Sequence, residues 1–169
     1  MDIRDIQTKS SIREVLGCIL LDPTLLDNHA LYIDDFAEPF HQLVYLAISN
    51  LYIAGNKKLD AYIIDSYLKE NHPPKYPIYQ RNNGIKYIEL AMEIAEPDNF
   101  EANYNELKKF TALRQLYLQG FDITEIFDPD EIDPQIAEQK RHRLEEMDVG
   151  DILDVFKIKL DSVSQFAPS

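Results

Sequence analysis

A loop that grips phosphate needs glycines clustered around a Lys-Ser/Thr pair. No Gly-x-x-x-x-Gly-Lys-Ser/Thr run occurs in the 169 residues, and Gly17, Gly55, Gly84, Gly120 and Gly150 all stand apart. The four histidines, His29, His41, His72 and His142, form no His-Glu-x-x-His pair, and there is no cysteine pair to complete a metal set. His41 opens an apolar helical stretch and reads as a packing or hydrogen-bonding residue. Asp34-Asp35 is a pair in sequence only, because adjacent residues on a helix or turn point apart; it reads as a solvated turn or cap. Cys18 lies among Leu16, Ile19 and Leu20, where burial raises a thiol pKa and leaves it inert. Catalytic, cofactor-binding and metal residues are therefore all predicted to be none.

Nucleic-acid contact is the remaining chemistry. Tyr76, Tyr79, Arg81 and Lys86 interleave aromatic and basic side chains, as single-strand stacking sites do. The same composition also suits a solvent-facing loop packed on a helical core. Lys108, Lys109 and Arg114 read as the solvated face of a helix. The formal net charge is -13, and Asp122 to Asp154 holds 12 Asp/Glu against 3 Lys/Arg. Affinity for nucleic acid rests on neutralising phosphates, so this balance points to a protein partner, or simply to solubility. The lone cysteine excludes a disulfide framework. Apolar runs such as Val15–Leu21 fall short of the roughly 20 residues a membrane helix needs. With Asp2, Arg4 and Asp5 preceding no apolar signal region, the expected location is cytoplasmic and no membrane partner is expected.

The elements that would carry such surfaces are helices throughout, and the predicted class is all-α. Ile12, Val15, Leu16, Ile19 and Leu20 recur with helical spacing, Ser10-Ser11 would cap that helix, and Asp22-Pro23 ends it. Further helices are predicted from Pro23 to Leu31, from Pro39 until Gly55, and from Asp60 across Ile63, Ile64, Tyr67 and Leu68. Three prolines between His72 and Pro77, followed by Asn82-Asn83-Gly84, predict a loop. Ile88, Ala91, Met92 and Ala95 restart the period until Pro97, and a long helix runs from Phe100 to Gly120. The polar stretch Phe127–Pro134 precedes a weaker helix over 134–146. Val149, Leu153, Phe156, Leu160 and Val163 are spaced four, three, four and three, an a/d heptad pattern behind a capping Asp148. Two heptads do not stand alone in water. The stripe must dock on another helix, in this chain or in a second copy, and these five residues are the predicted oligomer interface. The chain divides into a compact head over 1–98 and a helical hairpin with the start of a linker over 99–169.

The segment Ile12-Arg13-Glu14-Val15-Leu16-Gly17-Cys18-Ile19-Leu20-Leu21-Asp22-Pro23 resembles the opening of the N-terminal domain of DnaB-type replicative helicases. Asp35-Phe36, His41, Leu51-Tyr52-Ile53-Ala54-Gly55, Asp60, Gly84, Tyr87-Ile88, Asn103-Tyr104 and Leu113-Arg114 follow in that family's order. Asn83-Gly84 stands where Gly-Gly is usual, after a longer, proline-rich loop. Val149–Phe156 is similar to the linker region of phage or Gram-positive helicases of this type.

The resemblance implies a non-enzymatic assembly and partner-docking region from a phage or bacterial source. It would form a ring collar through its hairpins, as a homo-oligomer from dimer to hexamer, and would bind primase and a helicase loader. No cofactor is then expected on these residues. ATP and Mg2+ would belong to a RecA-like motor beyond Ser169, and DNA would be met only through the full ring. An alternative is a stand-alone helicase loader or primase-type helicase-binding adaptor of similar fold; an in-frame phosphate-loop motif downstream in the gene would separate the two. Binding to oligonucleotides is expected to be weak or absent at physiological salt. Submicromolar, salt-sensitive binding in a fluorescence titration would count against a partner-docking role.

Overall fold

A computed structural model describes residues 1–168. Eight α-helices and four short 3-10 turns occur, with no strand among the described residues, as the helical periodicity requires. They fall into two compact units: residues 7–107, and residues 1–6 together with 108–169.

In the first unit α1 spans Lys9–Leu21. Ser10 and Ser11 lie inside its first turn rather than capping it, because Ile12 already donates its backbone N–H to the Thr8 carbonyl at 3.1 Å. Its apolar face, Ile12, Val15, Leu16, Ile19 and Leu20, is buried. Gly17 on that face admits a close backbone approach, since a Cβ there would lie 2.3 Å from the Ala91 carbonyl oxygen. The helix predicted for Pro23–Leu31 shrinks to a 3-10 turn, Pro23–Asp27. The Leu25 carbonyl that would continue it is taken by the Asn28 N–H and the His29 ring, a side chain competing with the backbone ladder.

Helix α2, Pro39–Ile53, starts on a proline at its first position. Gly55, at φ +103°, follows its end in the left-handed conformation that closes helices. Helix α3, Ala61–Asn71, is capped by Asp60, whose carboxylate accepts from the Tyr62 and Ile63 N–H groups at 2.9 Å each. The proline-rich stretch is not all loop, because Tyr76–Arg81 forms a short helix, α4. Pro77 sits in its first turn, where a missing N–H costs nothing, and Tyr79 is driven into the core at 1% exposure. Asn83, at φ 50°, reverses the chain into α5, Gly84–Ile94. Gly84 is required there, since a Cβ would lie 2.3 Å from the Tyr79 ring.

Helix α6, Phe100–Leu118, begins in the first unit and ends in the second, and Gly120 at φ +94° stops the chain from continuing it. The division falls between residues 107 and 108, inside this helix and later than the boundary expected at 98/99. The second unit adds α7, Pro134–Glu146, capped by Asp133, and α8, Val149–Ser164, capped reciprocally by Asp148 and Asp151. Ile6, Phe110, Leu113, Ile123, Ile126, Leu144, Met147, Ile152 and Phe156 form its core.

Lys109 and Arg114 are not the solvated face that their spacing suggested; they are 7% and 3% exposed. Lys109 Nζ donates to the Leu144 and Glu145 carbonyls at 2.9 and 3.2 Å. These belong to the last turn of α7, where orphan acceptors and the negative end of the helix dipole favour a cation. Arg114 Nη1 donates to the Ile6 carbonyl at 2.6 Å, and Tyr117 donates its hydroxyl to the Met1 carbonyl at 2.6 Å, so the first six residues strap onto α6.

Two substitutions test this packing by denaturant unfolding. Lys109→Met, which strips the donor from two helix-terminal carbonyls, is expected to cost about 1.5–3 kcal/mol. Gly17→Ala, which forces α1 away from the α5 backbone, is expected to cost about 1–3 kcal/mol. An unchanged midpoint for either would refute the contact assigned to it.

Candidate assembly surface

The five residues of the predicted interface stripe divide along α8. Val149 is half-buried and Phe156 is buried in the second unit's own core. Leu153, Leu160 and Val163 are 37%, 56% and 64% exposed. Phe156 meets the Phe121 ring edge-on at 5.5 Å, and Lys159 Nζ lies 5.6 Å from the Phe156 ring centroid. The same ammonium pairs with Glu125 at 2.7 Å, and Arg143 approaches that carboxylate at 3.6 Å. The Lys159 hydrogen bond, ahead of the cationic charge, holds Glu125 below the usual carboxylate range.

The heptad spacing missed Ile152, which is fully buried one turn before Phe156. Its place three residues after Val149 and four before Phe156 was the available signal. The docked residues are thus Ile152 and Phe156 with half-buried Val155 packed beside them, and the stripe runs out there. From Lys157 to Pro168 every residue is exposed, Ile158, Leu160, Val163 and Phe166 among them. Leu160 and Val163 continue, at i+4 and i+7, the line that Phe156 begins. An apolar helical stripe is therefore half satisfied by its own core and half presented to solvent.

The other residues that could carry chemistry are committed to structure. Cys18 is 1% exposed, and burial, reinforced by Glu14, pushes its thiol up to about 11. Asp35 is buried and accepts the Tyr32 N–H at 2.8 Å while Asp34 faces solvent. Tyr79 is buried, Tyr76 donates its hydroxyl to Asp65 at 2.7 Å, and Arg81 and Lys86 are exposed. Among the described residues no group of three His, Cys, Asp or Glu could hold a metal, and no helix is long and apolar enough to cross a membrane.

Two histidines, by contrast, sit in defined electrostatic settings. His41 is buried; its Nδ1 lies 3.5 Å from Glu38 Oε2 without a hydrogen bond. Burial outweighs Glu38 and keeps the imidazole below its ordinary value. His29 Nδ1 lies 2.8 Å from the Leu25 carbonyl oxygen and Nε2 lies 2.5 Å from the Glu101 carboxylate. Both neighbours are acceptors, so protonation of the ring lets both nitrogens donate. Burial opposes that charge, but the Glu101 and Leu25 hydrogen bonds outweigh it and raise the pKa. The imidazole ring is boxed edge-on by Phe100 and Tyr104, and Tyr104 donates its hydroxyl to the Ala30 carbonyl at 2.8 Å.

The signs of the two shifts are opposite. His29 stabilises the fold fully below the ordinary imidazole value, about 6.5, and that contribution is lost as pH rises through its raised value. His41, held neutral, destabilises the fold as pH falls below about 6.5. His29→Gln should therefore flatten the decline in unfolding free energy on the alkaline side while leaving the acid side in place. Denaturation at a series of pH values reads this directly, and an unaltered alkaline slope would remove the assigned clamp.

Comparison with known proteins shows what this arrangement resembles. Residues 10–109 match the model of the DnaB-like helicase N terminal domain. The chain is 37% identical over 163 residues to the SPbeta prophage-derived uncharacterized protein YorI of Bacillus subtilis (strain 168). That match takes in 95% of this chain but only 32% of YorI, so the chain spans about a third of the relative's length. The crystal structure of the N-terminal domain of DnaB helicase from Mycobacterium tuberculosis shares the fold at a TM-score of 0.58 and 20% identity, covering 83% of this chain and 98% of that one. With α1 to the start of α6 inside the matched region, this chain belongs to the DnaB-like helicase N-terminal domain family.

Proposed function

We propose that this chain is the assembly and partner-docking region of a replicative DNA helicase, which joins copies into a ring collar through its α6–α8 region and offers its head to primase or a helicase loader. The observation that carries the reading is the unfinished stripe of α8. Apolar residues exposed along one line of a helix are stabilised when a second helix covers them, and a second copy of the same surface supplies one in a two-fold pairing. The family membership supports the same role, and the net charge of -13 fits a chain that meets proteins rather than phosphates. In this role ATP and Mg2+ chemistry belongs to the helicase motor, and the residues described here hold copies and partners together.

Phe156 is a poor probe of assembly, because its removal would open the unit's own core. Leu160 and Val163 touch no core. Leu160→Glu with Val163→Glu is expected to shift the mass measured by multi-angle light scattering toward the monomer, with unchanged helical circular dichroism. A mass equal to that of the unaltered protein at every concentration, or a wild type that is monomeric throughout, would refute the α8 interface. Adding a cognate primase C-terminal domain to both proteins separates the two parts of the role: complex formation by the double variant would leave the head as the docking surface.

A further inference from the structure

One carboxylate-free stretch of this acidic chain has a structural counterpart. Residues 71–88 contain no Asp or Glu but carry Lys75, Arg81 and Lys86, all three exposed and none in an ion pair among the described residues. Within this stretch α4, the Asn83 turn and the first turn of α5 wall a cavity of about 410 Å³. Its surface is formed by Asp65, Tyr76, Tyr79, Gln80, Ile85 and Lys86 among others. The Tyr76 and Tyr79 rings stack at 6.1 Å with an interplanar angle of 25°. The Asp65 carboxylate is engaged by the Tyr76 hydroxyl. The result is an apolar, aromatic recess with Lys86 in its wall and Arg81 exposed at the end of the α4 helix that borders it.

The complementary shape is present elsewhere on the same chain. The connection Asp128-Pro129-Asp130-Glu131-Ile132-Asp133 is acidic at four of its six positions, and its one large apolar side chain, Ile132, is 93% exposed. Asp128 and Glu131 are steadied by Lys140 at 3.8 and 3.6 Å. The Asp133 carboxylate caps α7. The loop is thus held by its own contacts while Ile132 projects from it. A branched aliphatic side chain in full contact with water costs about 1.5–3 kcal/mol relative to burial.

We infer that the Tyr76–Tyr79 recess receives Ile132 from the 128–133 loop of a second copy, with Arg81 and Lys86 facing the loop's carboxylates. The contact joins unlike surfaces, so it is heterologous and propagates from copy to copy around a ring, or along a filament if the rotation does not close. It rests on the proposed assembly role but uses a surface different from the α8 stripe. A nucleic-acid strand fits the recess less well, because three cations make too short a phosphate track.

Placing the photoreactive residue benzoylphenylalanine at position 132 tests the contact, using a mixture of isotopically light and heavy full chains. Irradiation is expected to join residue 132 of one isotope to the Tyr76–Lys86 segment of the other, as read by mass spectrometry of the digest. Arg81→Glu with Lys86→Glu should reduce that product roughly fivefold, the scale of losing two exposed ion pairs. Products confined to one isotope, products on other segments, or no product would overturn the inference. So would a single-stranded oligonucleotide that saturates the Arg81–Lys86 surface and abolishes the product. Light scattering on the Leu160→Glu, Val163→Glu variant is scored separately: loss of mass there with the crosslink absent condemns only the loop contact, and a retained crosslink with unchanged mass condemns only the α8 interface.

Discussion

Two cations buried on one helix organise the second unit. Lys109 and Arg114 are buried with carbonyl oxygens as acceptors, three of them at 2.6 to 3.2 Å. Lys109 fixes the end of α7, and the chain then has two residues, Met147 and Asp148, before α8 begins. The direction of α8, and with it the line Ile152, Phe156, Leu160, Val163, follows from that anchor. Arg114 does the same for the other chain end by holding the Ile6 carbonyl, so residues 1–6 join a unit whose remainder lies more than 100 positions away. A buried cation whose acceptors were removed would carry an uncompensated desolvation cost. The strap and the α7 terminus are therefore mutual conditions of the core they enclose.

The first unit rests on a different constraint, the absence of side chains where backbones meet. Gly17 lets α1 approach Ala91, and Gly84 lets the α5 start pass over the Tyr79 ring. Neither position has a left-handed backbone, so conformational freedom is not what glycine supplies there. Space is. The separate left-handed glycines, Gly55 and Gly120, sit where helices stop and have nothing near an added Cβ. Both kinds look alike in a sequence, and only the distances tell them apart.

Much of the fold was legible because helical periodicity is a strong signal in an all-α chain. The faces of α1, α2, α3 and α5 lie where Ile12 to Leu20, Leu43 to Leu51, Ile63 to Leu68 and Ile88 to Ala95 put them, and the Asp60 cap is present. Three features were not legible. The α4 helix hides behind prolines that are harmless in a first turn, and the turn at Pro23–Asp27 is cut short by the His29 side chain. Lys109 and Arg114 were spaced like a solvated face, and burial came from α7 and from residues 1–6, both remote in sequence. The α8 stripe shows the same limit. Heptad spacing recovered Phe156, Leu160 and Val163 as one line, but which part of it the chain itself covers depends on where its core ends.

The burial of Cys18 has a practical consequence. The only thiol of the chain is 1% exposed, beside the carboxylate of Glu14, and almost wholly protonated at neutral pH. Maleimide and methanethiosulfonate reagents should pass it by. The native sequence is thus already a silent background for thiol labelling, and a cysteine introduced at any exposed position would carry a fluorophore or spin label alone. Distances between copies could then be measured without first stripping a residue from the α1 core.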